Sequence, residues 1–158
     1  MKKIIIGIII LVISGSGLFA EQKTGAVNLK QVADDMKFRK GAEFYRLERY
    51  DLALNELYEY LEIYYDGTHR GEAYRKIADI HIKQYNHQKA VEIYRRLYEE
   101  FSSTDEGIDG YFQMGICYLK MGYDSKAEAI FKSIMQEHPG TTGAANAEIQ
   151  LELLKIPQ

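Results

Sequence analysis

Apolar residues recur at helical spacing along most of the chain. In the stretch 89–101, KAVEIYRRLYEEF, apolar side chains return every three or four residues, which is typical of an α-helix with one buried face. Short polar or glycine-containing turns interrupt this spacing, which extends from about residue 29 to the C-terminus. The pattern predicts seven helices, at residues 29–47, 51–65, 69–84, 88–101, 105–121, 125–138 and 142–155.

The helical pattern also repeats along the chain. Ala53, Ala90 and Ala127 lie 37 residues apart; each precedes a large apolar residue by four positions and follows a small residue by twelve. The large residues are Leu57, Tyr94 and Phe131, and the small residues are Gly41, Ala78 and Gly115. Because small residues let two helices approach closely, we expect an all-α stack of three helical hairpins, capped by the unpaired seventh helix.

The links between hairpins share a second pattern. The segments YDGT, FSST and HPGT end in Thr68, Thr104 and Thr141, and a threonine hydroxyl can cap the first turn of a helix. We expect these three residues to be N-caps. Within the hairpins, short turns are expected around residues 49, 86 and 122.

The repeating unit resembles the tetratricopeptide repeat (TPR). The third unit carries the family pattern at Tyr111, Met114, Gly115, Tyr118, Gly122, Ala127, Phe131 and Pro139. The first two units depart from it, since His81 replaces the usual Tyr and Asp66 and Ser102 stand near the usual Pro. The resemblance implies a right-handed superhelix over residues 34–158, with repeats at about 34–67, 71–104 and 108–141 and a capping helix at 142–155.

The 37-residue period and the link pattern also resemble the exported repeats of two envelope proteins. These are the Tol–Pal accessory protein and the lipoprotein D subunit of the β-barrel assembly machinery. The resemblance implies a role in cell-envelope assembly or division.

The first twenty residues read as a signal peptide. Lys2 and Lys3 precede an unbroken apolar run at 4–13, and a Ser/Gly segment leads to Ala20, the expected last residue removed. The apolar run is shorter than the ~20 residues of a membrane span, which disfavours the alternative of an uncleaved anchor. No cysteine lies near the cut, so we expect a periplasmic protein that is not a lipoprotein, with an N-terminal extension at 21–33.

Charge and motifs narrow the function classes. Without Lys2 and Lys3 the chain has 18 basic and 23 acidic residues, which disfavours a nucleic-acid partner. The four histidines are scattered, and no phosphate-binding glycine loop or nucleophile motif is present. We therefore expect no enzyme activity, metal, cofactor or small-molecule substrate. Cys117 is expected to be a small buried hydrophobic residue, since its nearest local charge is only Lys120.

Stacked repeats bind partners along the concave side formed by their first helices. The resemblance places a protein or peptide groove at Phe38, Tyr45, Arg46, Arg75, Asp79, Ile82, Lys83, Phe112, Ile116, Leu119 and Lys120. Phe38 and Phe112 favour a site most, because exposed apolar rows are unfavourable unless something covers them. Acidic residues at helix starts (Asp35, Glu72, Asp109) and basic ones at helix ends, with Lys155 in the cap, form two rims. The helix dipole alone favours that charge arrangement, so the rims do not decide the question.

Two further points complete the prediction. TPR domains that bind the C-terminal carboxylate of cytosolic chaperones carry Lys and Asn where this chain has Phe38, Ala42, Phe112 and Ile116, so that clamp is absent.

Tyr58 and Tyr65 form a second candidate surface, either half-buried edges or a partner patch.

Two function classes follow from these features. One is an exported adaptor that binds a segment of an envelope protein in its groove. The other is a structural subunit that forms homo-oligomers through its outer face or capping helix and has no open groove, because its own N-terminal segment, TGAVNLKQV, fills it.

Overall fold

The computed structural model describes residues 28–156 of the chain, and these form seven α-helices without strands. The helices are α1 (Leu29–Arg46), α2 (Tyr50–Ile63), α3 (Arg70–Lys83), α4 (His87–Phe101), α5 (Asp105–Lys120), α6 (Asp124–Glu137) and α7 (Thr142–Leu154). Every end lies within two residues of its predicted position. The predicted signal peptide and residues 21–27 lie outside the described residues, and the rest of the expected extension belongs mainly to α1.

The helices form a stack of hairpins in chain order. Each helix packs against its neighbours in the sequence, and the pairs α1–α2, α3–α4 and α5–α6 are the three hairpins. The first helices also contact one another from α1 to α3, α5 and α7, whereas α2, α4 and α6 make no such contacts within residues 28–156. The first helices therefore form the inner face of an all-α repeat solenoid.

Each hairpin turn uses a residue with left-handed backbone. Glu48, Tyr85 and Gly122 have φ of 56°, 60° and 75°, and they lie 37 residues apart. In all three turns the following N–H donates to a carbonyl five residues back, at 2.8–2.9 Å. The sequence supplies glycine at only one of these positions, so the other two turns hold a side chain in a region that favours glycine.

The core follows the repeat pattern. Ala53, Ala90, Ala127, Leu57 and Phe131 are fully buried. A Cβ at Gly115 would lie 2.6 Å from Cε1 of Phe131, which is closer than two non-bonded carbon atoms can approach. The predicted close contact between α5 and α6 is confirmed, and it depends on a residue without a side chain.

Two of the three predicted threonine caps are confirmed. The Thr104 hydroxyl accepts from Gly107 N and the Thr141 hydroxyl from Ala144 N. The third is wrong: His69 precedes α3, and Thr68 instead donates its N–H (2.9 Å) and hydroxyl (3.2 Å) to Asp34 Oδ2.

Buried polar groups join the hairpins. Asp34 is 4% exposed and accepts from the Tyr60 hydroxyl at 2.5 Å as well as from Thr68, which ties α1 to the link before α3. Sequence periodicity did not indicate this contact, because the equivalent residues are Gly71 and Ile108.

A second polar junction surrounds Arg70, which is 9% exposed. Its guanidinium donates to the carbonyls of Leu61 (2.6 Å) and Tyr64 (3.0 Å) and pairs with Glu100. The hydrogen bond from Arg70 lowers the pKa of the Glu100 carboxyl. Since this arginine has no equivalent in the other units, it too was missed. No helix among residues 28–156 is long and apolar enough to cross a membrane.

Candidate functional site

The inner face is richest in polar side chains on α3. One side of this helix is buried, while Glu72, Arg75, Lys76, Asp79 and Lys83 are partly or fully exposed on the other. Since the buried side packs against α2 and α4, these five side chains lie between α1 and α5 on the inner face.

Tyr45 links α1 to α3 across this face. Its hydroxyl donates to Asp79 Oδ2 at 2.6 Å, and Lys76 Nζ lies 4.8 Å from the centre of its ring. Burial and the hydrogen bond to Asp79 raise the pKa of Tyr45 to about 12, so it remains a neutral donor at physiological pH. Lys83 Nζ lies 3.5 Å from the same Asp79 oxygen. The predicted groove residues Tyr45, Asp79 and Lys83 therefore lie together.

A second link joins α3 to α5. Arg75 Nη2 lies 2.9 Å from Glu106 Oε1 in a partly exposed ion pair. Such pairs contribute little to stability, roughly 0–1 kcal/mol, so a ligand carboxylate can compete for this arginine.

A recess of about 500 Å³ lies between α1 and α3. Its walls are Arg39, Ala42, Glu43, Tyr45, Arg46 and Lys76. Three of these side chains are basic and one is acidic, and Glu43 already pairs with Arg46 at 2.7 Å. Within residues 28–156 Arg39 makes no ion pair. Arg39 and Lys76 were not among the predicted groove residues, although they share one register position, 37 residues apart.

The expectation of exposed phenylalanines is wrong. Phe38 is 6% exposed, because the ring of His69 stacks on it at 4.5 Å and Tyr60 packs against its edge. Phe112 is 9% exposed and packs against Phe131 at 5.4 Å. Both rings belong to the core, so they do not line an open groove.

The remaining predicted residues are more open. Ile82, Ile116 and Leu119 are half-buried, and Arg46, Arg75 and Lys120 are exposed. The acidic rim is largely paired inside the chain, since Asp35 contacts His69 at 2.8 Å and Glu72 contacts Lys76 at 3.1 Å. Lys155 does not continue the basic rim, because it is two residues out of the 37-residue register. It pairs with Glu152 and lines a hollow between α6 and α7.

The two tyrosines of the second candidate surface differ. Tyr58 is half-buried, and its hydroxyl lies 3.1 Å from His81 Nε2, so it is a packing residue at the α2–α3 contact. Tyr65 is 78% exposed, with Lys30 Nζ 5.9 Å from its ring. The structure therefore does not bring them together as one patch.

Cys117 and His81 have buried environments. Cys117 is 1% exposed, and burial raises the pKa of its thiol to about 11. His81 is 5% exposed, and burial lowers the pKa of its imidazole. Neither side chain has the exposed, charge-activated setting of a reactive group. In the described part of the chain no cluster of three His, Cys, Asp or Glu is placed to hold a metal ion.

Comparison with known proteins identifies the repeat. Residues 72–104 and 109–141 match the model of the tetratricopeptide repeat, in close agreement with the second and third predicted units. This chain therefore contains tetratricopeptide repeats. A search of curated proteins gives no significant match for this TPR protein.

Solved structures share the fold. The crystal structure of yeast Tom70 matches with a TM-score of 0.63 and 18% identity over 78% of this chain and 24% of that one. The complex of the yeast Sti1 TPR2AB domain with pHSP90 matches with a TM-score of 0.58 and 18% identity, over 78% of this chain and 49% of that one. This TPR protein thus spans less than half of either chain, and at this identity the likeness shows the fold alone.

Proposed function

We propose that this TPR protein is a scaffold that holds a segment of another protein along its inner face. The observation that carries the proposal is the open recess between α1 and α3, which presents Arg39, Arg46 and Lys76 around the ring of Tyr45. A repeat stack presents such a surface on a rigid frame, which lowers the entropic cost of binding an extended segment. The Sti1 TPR2AB domain, which was solved in complex with pHSP90, gives a precedent within the fold.

The side chains of the recess favour an acidic segment. The walls hold three basic groups and one acid. Arg46 pairs with Glu43 and Lys76 with Glu72, whereas Arg39 makes no ion pair within residues 28–156, and Arg guanidinium groups bind carboxylates through two parallel hydrogen bonds. The half-buried Ala42 and Tyr45 offer a small apolar floor for a neighbouring side chain. Because Arg39 and Arg46 are exposed and Lys76 is partly exposed, we expect affinity to fall as salt rises.

Site-specific photocrosslinking tests this assignment. A photoreactive residue at Ala42 lies in the recess, whereas one at Lys132 lies exposed on the outer helix α6 as a matched control. We expect a defined adduct only from position 42, and we expect Arg39→Glu with Lys76→Glu to abolish it. Adducts that form equally from position 132, or that survive the double charge reversal, would contradict a groove at this place.

We also propose that the protein is exported to the periplasm and acts in a cell-envelope complex. The support is the signal-peptide pattern of residues 1–20 and the resemblance of the 37-residue repeats to exported envelope proteins. N-terminal sequencing of protein from the periplasmic fraction is expected to begin at Glu21. Recovery of the chain from the cytoplasm with its first twenty residues attached would refute export.

A further inference from the structure

The last helix exposes an apolar strip. Ala145, Ile149, Leu153 and Ile156 follow one another at intervals of three or four residues, and so share one side of α7 and its C-terminal extension. The three large side chains are 52–60% exposed. We call these four residues the α7 end face.

The first helix exposes a second strip. Leu29, Val32, Ala33 and Met36 have the same spacing on α1, and Leu29 and Met36 are 78% and 64% exposed. We call these four residues the α1 end face. The other exposed large apolar residues are isolated at helix ends and turns: Leu47, Ile63, Tyr65, Tyr85 and Tyr123.

Both end faces lie where the stack stops. Helix α5 packs against helices on both sides, α3 and α4 before it and α6 and α7 after it. Within residues 28–156, however, α1 contacts only the following helices α2 and α3, and α7 only the preceding helices α5 and α6. The α1 end face thus occupies the side where an earlier helix would pack, and the α7 end face the side where a later one would pack.

The two ends carry opposite charge. Helix α1 has five basic and three acidic side chains, whereas α7 has Glu148 and Glu152 and no basic residue. Exposed Arg39 lies one helical turn from Met36, and exposed Glu148 lies one turn from Ala145. Neighbouring Lys40 and Glu152 already pair with Glu56 and Lys155, so Arg39 and Glu148 are the charges that a second copy can use. Pairing α7 with a second α7 would bring like charges together, while pairing α7 with α1 brings opposite charges together.

We propose that the protein associates with further copies of itself head to tail, the α7 end face of one copy packing on the α1 end face of the next. Each copy then places a helix on the side of the other copy's end helix where residues 28–156 pack none. Such a contact joins two different surfaces, so every dimer keeps one free face of each kind and growth continues into a filament or a ring. The contact shares only Arg39 with the recess between α1 and α3, and neither Met36 nor Leu153 lines that recess, so the two proposals can fail separately.

The contact is expected to be weak and reversible. Helix α7 has 13 residues and is therefore about 20 Å long, which limits the contact to the small end of specific protein interfaces. Sedimentation velocity on the purified protein is expected to show mass increasing with concentration into the millimolar range.

Two blocked variants test the head-to-tail geometry. Met36→Asp places a charge on the α1 end face, and Leu153→Asp places one on the α7 end face; both positions are exposed, so the fold is retained and circular dichroism checks this. Each variant alone is expected to be monomeric. An equimolar mixture is expected to form dimers but nothing larger, because only one unblocked α7 end face and one unblocked α1 end face can meet.

Other results overturn the proposal. If Met36→Asp still dimerises by itself, the contact joins two α7 helices, and if Leu153→Asp does so, it joins two α1 helices. A mixture that stays monomeric although the parent associates places the contact elsewhere. A parent that remains monomeric throughout the series refutes self-association, and the end faces are then covered by another segment or by nothing.

Discussion

At the scale of single residues, burial decides the chemistry of Cys117. The side chain is 1% exposed and its thiol pKa is raised to about 11, so both access and thiolate fraction are low in the folded protein. We expect a maleimide to label Cys117 slowly in the native state and rapidly in denaturant. A cysteine introduced at exposed Ser125 serves as the control and is expected to react rapidly in both. Equal rates for Cys117 in both states would place the thiol at the surface.

His81 is expected to make the free energy of unfolding fall as the pH falls. Burial lowers the pKa of His81 in the folded state below 6.5, so the unfolded chain binds a proton that the folded chain resists. The contribution is fully present above about pH 6.5 and is lost as the pH falls below it. The imidazole has one partner, the Tyr58 hydroxyl, and its buried Nδ1 has none within residues 28–156.

Replacement of His81 isolates this effect. We expect the free energy of unfolding of the parent to fall more steeply between about pH 7.5 and 5.5 than that of His81→Phe, measured by urea denaturation. The comparison uses the slope within each protein, so a constant loss from the substitution does not affect it. Parallel slopes would show that His81 does not carry the proton linkage.

Residue-level prediction succeeded where the repeat constrains the position and failed elsewhere. The contact of Gly115 with Phe131 follows from the register that all three units share, and the burial of Cys117 follows from its place two residues after Gly115 on the same helix. The prediction that Phe38 and Phe112 are exposed was wrong, because their exposure depends on which side chain from a distant part of the chain covers them. Asp34 was missed for the same reason, since only the first unit carries it.

At the scale of elements, the hairpin turn at Tyr85 is expected to carry backbone strain, which a substitution can test. Tyr85 has φ of 60° and is 85% exposed, so its side chain makes little packing contribution while its backbone occupies a region that favours glycine. We expect Tyr85→Gly to raise the free energy of unfolding by about 1 kcal/mol.

A matched substitution checks the cause. Tyr65 is also exposed but does not have positive φ, so Tyr65→Gly is expected to destabilise the protein slightly. Urea denaturation of both variants gives the comparison. If both glycine variants lose stability equally, the left-handed backbone at Tyr85 is not strained.

The helices themselves were predictable because two signals agree. Apolar spacing gave the length of each helix, and the recurrence after 37 residues fixed the turns between them. The start of α3 is the exception to this agreement. Thr68 lies where a capping threonine is expected, but it donates hydrogen bonds to Asp34 instead. A hydrogen bond to another helix thus overrides a local capping preference, and a single sequence does not reveal that choice.

At the scale of the whole molecule, packing is uneven along the stack. Helices α3 and α5 each bury eight residues, whereas α1 buries three and α7 buries two. In a stack whose units contact only their neighbours, stability is close to a sum of local and interface contributions. The centre is therefore expected to open last and the ends first.

Native-state hydrogen exchange measures this gradient. We expect the slowest amide exchange in α3, α4 and α5, and the fastest in α1 and α7. Removing α7, by ending the chain at His138, takes away the helix that packs at Gly143 against Ile108 and Ile134. Exchange is then expected to accelerate strongly in α5 and α6, which lose a direct packing partner. It is expected to accelerate only weakly in α2 and α3, because they feel the loss of α7 only through the helices between. A uniform acceleration along residues 28–138 would instead show that the three hairpins unfold as one cooperative unit, and that the polar junctions at Asp34 and Arg70 couple them more tightly than the nearest-neighbour stack requires.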